Sequence, residues 1–171
     1  MMRWLVILFS LWAFGVQAEV RDPQSHFFMP KLGDFKEELD VAKGEGKQGV
    51  LIMFEMEDCP FCHRMKTTVL NQARVQDWYR KRFLIYAMDV KGDTSMTDFK
   101  GRDTTEKAFA LESRARATPT FVFYDLEGNA VTRFTGATQT AEDFLLLGQY
   151  VVDGVYKTMP FNVYKRQSAA R

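Results

Sequence analysis

The stretch VLIMFEMEDCPFC, residues 50–62, decides the fold. Its first half, residues 50–56, is mostly apolar and too short for a helix, so it predicts a buried strand. Its second half carries Cys59 and Cys62, and Pro60 stands where a following helix would begin. A proline at that position loses nothing, because its missing N–H would have no partner there. The stretch therefore predicts a buried strand that leads into a helix with Cys59 at the helix N-terminus.

The two cysteines are compatible with more than one chemistry. Cys-x-x-Cys is typical of a dithiol redox pair, whereas the same residues followed by His63 match a site for covalent haem attachment. A third interpretation is a zinc site that adds His63 and His26 to the cysteines, although this spacing matches no familiar zinc finger. The chain has only two cysteines, and a bridge across so short a loop stabilises little. Reactivity therefore explains the pair better than a structural role.

The first 18 residues are typical of a secretory signal peptide. Arg3 supplies a positive charge, residues 4–14 form an apolar run, and residues 16–18 place small residues where signal peptidase reads them. The run is shorter than the roughly 20 residues of a membrane span, which makes an uncleaved anchor the weaker alternative. We therefore expect export to the periplasm, where disulfides can form.

The composition favours one folded domain. Of the 171 residues, 46% are hydrophobic and 14% are aromatic, which is enough for a buried core and argues against disorder. The formal net charge is +1, and no dense run of Lys and Arg precedes the tail near Lys165 and Arg166. No nucleic-acid partner is therefore expected.

The remaining residues alternate between helical and strand patterns. The expected elements are an extended N-terminal arm (19–33), a helix capped by Asp34, a strand (50–56), a helix (61–73), a strand (83–90), a polar loop (91–103), a helix (104–114), a hairpin around a turn at 126–129, and a helix (140–152). Strands separated by helices need parallel crossovers, and the hairpin adds an antiparallel edge. The predicted fold class is α/β, with a central mixed β-sheet flanked by helices on both faces. The domain would span 34–157, followed by a C-terminal tail at 158–171.

This order of elements resembles the thioredoxin fold over roughly residues 31–152. The resemblance rests on the strand that leads into Cys59 and Cys62, on Thr118-Pro119-Thr120 opening a later strand, and on the hairpin turn at 124–129 with Gly136 beyond it. With its export signal, the motif MFE…CPFC at 53–62 and the segment VVDGVY at 151–156, the chain is similar to the SoxW-type thioredoxin-related proteins.

The resemblance implies a substrate-binding surface beside the cysteines. It implies that the Thr118–Pro119 bond is cis, that Pro119 faces the cysteines, and that Thr118 offers its backbone to an extended substrate segment. A trans proline at the start of an edge strand is the alternative. We expect Pro60 and Phe61, within the redox motif, to complete this surface.

The chemistry expected of the pair follows from its position. At a helix N-terminus, unpaired N–H groups and the helix dipole stabilise a thiolate, so Cys59 is the expected nucleophile and is expected to be exposed. Cys62, one turn into the helix, is expected to be shielded and to resolve the mixed disulfide. The acids Glu55, Glu57 and Asp58 disfavour a thiolate, and a less stable reduced form makes a stronger reductant.

Glu55 is a further candidate catalytic residue. Thioredoxin has a buried acid at the position that Met53 occupies here, and Glu55 shares a strand face with Met53. One interpretation is that Glu55 accepts a proton from Cys62, directly or through water. The other is a solvated glutamate at the end of a strand.

The predicted function is that of a periplasmic thiol–disulfide oxidoreductase, a monomer that reduces disulfides of proteins or sulfur-carrier thiols. No metal or cofactor is expected beyond the redox-active Cys59–Cys62 disulfide. The resemblance implies a membrane thiol transporter of the DsbD or CcdA type as electron donor. The alternatives are an oxidising or isomerising disulfide-exchange protein, a c-type haem protein and a redox-inactive binding adaptor.

Overall fold

The computed structural model describes residues 19–31 and 33–170, so the predicted signal peptide lies outside the described residues. The helices are α1 (Pro23–His26), α2 (Phe35–Gly44), α3 (Pro60–Thr68), α4 (Ala73–Arg80), α5 (Glu106–Glu112), α6 (Ala141–Val152) and α7 (Phe161–Ala169), with a 3₁₀ turn at Val155–Lys157. The strands are β1 (Gly49–Glu55), β2 (Phe83–Asp89), β3 (Ser95–Thr97), β4 (Asp103–Thr105), β5 (Thr120–Tyr124) and β6 (Ala130–Thr135).

The main sheet has the strand order β2-β1-β5-β6. Strand β1 runs parallel to β2 and antiparallel to β5, and β6 pairs antiparallel with β5 as a hairpin. In the parallel register Met53 lies opposite Ala87 and Glu55 lies opposite Asp89. The predicted mixed sheet, with its hairpin at one edge, is therefore confirmed.

Hydrophobic residues cover both faces of the sheet. One face, which we call the cysteine face, packs Leu51 and Met53 in a cluster with both cysteines and the buried residues of α4 and α6. The opposite face packs Ile52 and Phe54 with the buried residues of α2 and α5. Alternate residues of β1 thus pack into two different cores. This is why the sequence of the strand is a continuous apolar run. The predicted helices on both faces are confirmed.

Helix α2 begins where the sequence predicts. The carboxylate of Asp34 accepts hydrogen bonds from the backbone N–H groups of Lys36 and Glu37 at 2.9 and 3.1 Å, which satisfies donors that the first turn leaves free. Phe35 and Leu39 then pack against the sheet, so that one side of the helix is buried.

The helix predicted over 61–73 is wrong in its length. Helix α3 ends at Thr68, and a separate helix α4 begins at Ala73. Between them the chain pairs with the N-terminal segment: Val20 bridges Gln72, and the N–H of Ala73 donates to the carbonyl of Glu19 at 2.9 Å. These bonds accompany a turn of the backbone out of the helical path. The sequence predicted one helix because the helical spacing of apolar residues continues across this break.

The N-terminal arm differs from the extended segment that the sequence predicts. It contains the short helix α1, after which Phe27 and Phe28 are buried on the cysteine face. The N–H of Met29 donates to the carbonyl of Ile85 in β2 at 2.7 Å. Residues 19–31 are therefore held against the domain by backbone bonds as well as by apolar packing.

Two further segments carry structure that the sequence did not indicate. The polar loop at 91–103 contains β3, which pairs with β4 in a separate two-stranded sheet. The carboxylate of Asp98 holds the turn between these strands by accepting the N–H groups of Lys100 and Arg102. The C-terminal tail contains α7, whose Phe161 and Tyr164 pack against Tyr150 of α6.

Among residues 19–31 and 33–170, the structure contains no helix with the length and apolar character needed to cross a membrane.

Candidate active site

Cys59 and Cys62 form a disulfide where β1 gives way to α3. Cys59 is the N-cap of α3, and its Sγ accepts the backbone N–H of Cys62 at 3.1 Å. The two Cα atoms are 5.2 Å apart, which is an ordinary separation for a bridged pair. The N-terminus of the helix thus presents a backbone donor to the sulfur of Cys59, as the sequence predicts.

The burial of the pair differs from the prediction for Cys59. Cys59 is only 5% exposed, although the sequence predicted an exposed nucleophile, and Cys62 is 3% exposed. The reason is that Cys59 belongs to the cluster on the cysteine face and does not project from the helix end. The prediction of a shielded Cys62 is confirmed.

A cleft of about 420 Å³ gives access to the disulfide. Cys59 and Cys62 line it together with Met56. The remaining lining residues are polar: Glu55, Glu57, His63, Lys66 and Asp89. Three of these polar residues are carboxylates, so the approach to the disulfide is predominantly acidic.

Glu55 lies in this cleft but has a cationic partner. The Nζ of Lys66 is 2.6 and 2.8 Å from the two carboxylate oxygens of Glu55. The same ammonium lies 5.7 Å from the centre of the Phe28 ring. Lys66 therefore neutralises Glu55 within reach of the cysteines and links the cleft to the N-terminal arm.

The Thr118–Pro119 peptide bond is cis, as the resemblance implied. Pro119 is buried and its carbonyl accepts the N–H of Gly136 at 2.8 Å. Thr118 is half-buried, and neither residue lines the cleft described above. The predicted substrate-binding role of this segment stays a prediction.

Phe61 is not part of the buried face of α3, although it lies four residues before the buried Met65. Its ring is 57% exposed, and the guanidinium carbon of Arg64 lies 5.6 Å from the ring centre. Because helix α3 begins at Pro60, Phe61 lies in the first turn and points to solvent. Pro60 is exposed as well, so both residues are accessible to a bound substrate.

The sequence of residues 35–151 matches the family model described as a thioredoxin-like domain. The chain belongs to the thioredoxin-like domain family. A thioredoxin-like domain with a Cys-x-x-Cys disulfide indicates thiol–disulfide oxidoreductase chemistry. No curated protein matches the chain significantly.

Solved structures of thioredoxin-like proteins superpose on this chain. A thioredoxin-fold protein from Helicobacter pylori has a TM-score of 0.59 and 18% identity, covering 74% of this chain and 88% of its own. A thioredoxin from Thermus thermophilus has a TM-score of 0.54 and 28% identity, covering 80% and 90%. A putative disulphide isomerase from Bacteroides thetaiotaomicron has a TM-score of 0.57 and 22% identity, covering 84% and 99%.

The thioredoxin-like fold bears on the other interpretations of the motif. The haem interpretation predicts a mostly helical cytochrome, which is not the architecture that surrounds Cys59 and Cys62 here. In the zinc interpretation the cysteines would bind metal with His63 and His26, but they are bonded to each other. Within the described part of the chain, no three His, Cys, Asp or Glu side chains group as metal ligands would.

Sequence reasoning missed two charged residues of the cleft. Lys66 follows Cys62 by four positions on α3, so both lie on one face of that helix. Asp89 ends β2 beside the end of β1, which the parallel register sets. The helical spacing was readable from the sequence, whereas the strand register was not.

Proposed function

We propose that the protein is an exported, monomeric thiol–disulfide oxidoreductase that reduces disulfides of proteins or of sulfur-carrier thiols. The observation that carries this proposal is the Cys59–Cys62 disulfide at the N-terminus of α3, open to a cleft in a thioredoxin-like domain. The predicted signal peptide supports a periplasmic location, and the redox motif and the VVDGVY segment support a SoxW-type relationship.

The reaction begins with the reduced pair. The thiolate of Cys59 attacks one sulfur of the client disulfide, and a mixed disulfide forms while the other client sulfur leaves and takes up a proton. Cys62 then loses its proton and attacks the sulfur of Cys59, which releases the second client thiol. Two electrons pass to the client, and the Cys59–Cys62 disulfide is restored. A membrane thiol transporter of the DsbD or CcdA type would return the two electrons.

The backbone segment at Thr118 and Pro119 would hold an extended client chain during this exchange. Pro119 is buried, and its carbonyl accepts the N–H of Gly136, which holds the segment in place. Pro60 and Phe61 offer an exposed apolar surface within the motif itself. The proposal assigns these four residues to client binding.

The charges around Cys59 support a reducing role. The charge of Glu55 is compensated by Lys66, but Glu57 and Asp58 are exposed beside Cys59. Negative charge destabilises a thiolate, so it destabilises the reduced form and makes the reduction potential more negative.

The reduction potential of the pair tests this proposal. We expect a value near that of thioredoxin, about −270 mV, rather than that of DsbA, about −120 mV. Equilibration with dithiothreitol or glutathione buffers, followed by thiol alkylation, measures it. Exchange of Glu57 and Asp58 for Gln and Asn should make the potential less negative, and Glu127→Gln on the β5–β6 turn should not. A wild-type value near −120 mV would favour an oxidising role, and a pair that never exchanges with either buffer would exclude a redox function.

A proton-accepting role for Glu55 predicts a slower reaction in Glu55→Gln. If Glu55 accepts the proton of Cys62, its loss should slow reduction of a protein disulfide by about tenfold or more. Single-turnover rates between pH 5.5 and 9 measure this loss. The control is again Glu127→Gln, at an exposed glutamate on the β5–β6 turn, with the wild-type profile expected. An unchanged profile in Glu55→Gln would assign the residue to the ion pair with Lys66 alone.

A further inference from the structure

The cleft beside the disulfide continues towards the N-terminal arm. A second cavity of about 220 Å³ lies next to it, bounded on the arm side by Phe28, Met29 and Pro30. Glu55 and Asp89 line both cavities, so the two meet at these side chains. We call the combined space the acidic groove. It leads from the reactive sulfurs along the ends of β1 and β2.

The two lysines that line the acidic groove are already paired. Lys66 binds Glu55, and Lys31, at the far end, binds the buried carboxylate of Glu106. Arg64 lines neither cavity, and its guanidinium lies over the Phe61 ring. The net charge that a ligand meets in the groove therefore depends on the carboxylates that have no cationic partner.

Two carboxylates of the groove, Glu57 and Asp89, have no such compensation. Within residues 19–31 and 33–170, neither forms an ion pair with a lysine, arginine or histidine. Asp89 accepts the backbone N–H of Lys91 at 2.8 Å, which leaves its charge in place. The groove therefore carries a net negative charge next to a disulfide.

We propose that the acidic groove selects client disulfides that are flanked by cationic groups, such as a cysteine next to lysine or arginine in the client chain. This inference rests on the proposed function, because the selection acts at the Cys59–Cys62 pair. The reacting sulfurs and the uncompensated carboxylates line one cleft, so a client sulfur that meets Cys59 brings its neighbouring groups beside Glu57 and Asp89. A concave site lined by one sign of charge concentrates ligands of the opposite sign.

Charge complementarity acts on the encounter and on the mixed disulfide. When Cys59 bonds to the client sulfur, the flanking cation is held in the groove while the second client sulfur leaves with a proton. Attack by Cys62 then breaks the Cys59–client bond and frees the cationic thiol. An anionic client meets repulsion at the same two steps. The selectivity should weaken with salt, since solvent-exposed charges are screened.

Three small disulfides of different charge test the inference with prereduced protein freed of reductant. They are cystamine (cationic), bis(2-hydroxyethyl) disulfide (neutral) and 3,3′-dithiodipropionate (anionic). Each single-turnover rate is divided by the rate of dithiothreitol with the same disulfide, because leaving thiols of different acidity react at different intrinsic rates. We expect the normalised rate for cystamine to exceed that for dithiodipropionate by about tenfold at low salt, and by much less in 0.5 M NaCl.

A double variant that removes both uncompensated charges locates the selectivity. Glu57→Gln combined with Asp89→Asn should reduce the cystamine-to-dithiodipropionate ratio at least threefold. The amide oxygen introduced at position 89 can still accept the N–H of Lys91. The matched control is Asp40→Asn with Glu127→Gln, which changes the net charge equally at two exposed positions outside the groove and should keep the wild-type ratio.

The outcomes separate this inference from the function on which it rests. Failure of the reduced protein to reduce any of the three disulfides would overturn the proposed function. Equal normalised rates, or a preference for the anion, would leave the reductase function in place and overturn the charge selection. An equal loss of the ratio in the control variant would also overturn it, because net charge rather than the groove would then be responsible.

Discussion

Exchange of Cys62 for serine is expected to stop the reaction at the mixed disulfide and to lower the rate of insulin reduction by about a thousandfold or more. The reason is that Cys59 can still attack a client disulfide, but no thiol remains to attack its sulfur in return. Cys62 lies one helical turn from Cys59, with the Cα atoms 5.2 Å apart, whereas no other cysteine exists in the chain. The protein should therefore accumulate as a covalent adduct with the client.

Non-reducing electrophoresis with mass spectrometry measures the adduct, and insulin turbidity measures turnover. Cys59→Ser is the matched control: it removes one sulfur of the same pair and should show neither turnover nor an adduct. Both variants should remain folded, because closing so small a loop contributes little to stability. Adduct formation by Cys59→Ser in place of Cys62→Ser would reverse the two assigned roles. In cells the Cys62→Ser variant should capture the physiological clients.

The sequence was sufficient for the parts of the fold that depend on local pattern. Two apolar runs without helical length became β1 and β2, and Asp34 became the cap of α2. The redox motif placed Cys59 at a helix N-terminus because proline at the first helical position is a local signal. The cis bond at Pro119 was expected from the resemblance to a family, since spacing alone does not distinguish cis from trans.

Three features that depend on particular long-range contacts were not predicted. The break between α3 and α4 exists because Val20 pairs with Gln72, which lies far from it in sequence. The burial of Cys59 depends on how the helix end packs onto the sheet, and the cleft depends on the register that places Asp89 beside Glu55. Helical periodicity and strand alternation describe one element at a time, so they contain none of this information.

The N-terminal arm gives the second large effect: Phe27→Ala should lower the free energy of unfolding by about 3–5 kcal/mol. The Phe27 side chain is 0% exposed, and its ring centre lies 5.9 Å from that of Tyr79 in α4 and 6.3 Å from that of Phe144 in α6. Truncation would remove the ring from between these helices and leave a cavity that a close-packed core fills only partly. Guanidinium chloride unfolding of the oxidised chain, residues 19–171, measures the loss.

Val20→Ala is the control in the same segment, because Val20 is 68% exposed and its pairing with Gln72 uses the backbone. A change within about 0.5 kcal/mol is expected there. If Phe27→Ala cost as little as Val20→Ala, the arm would not belong to the folding unit, which would then begin near residue 34, where the sequence predicts the domain to begin. If Phe27→Ala costs much more than Val20→Ala, as predicted, the folding unit begins near residue 19. The arm would then be a stable wall of the acidic groove as well, since Phe28, the residue after Phe27, lines it and lies beneath the ammonium that pairs with Glu55.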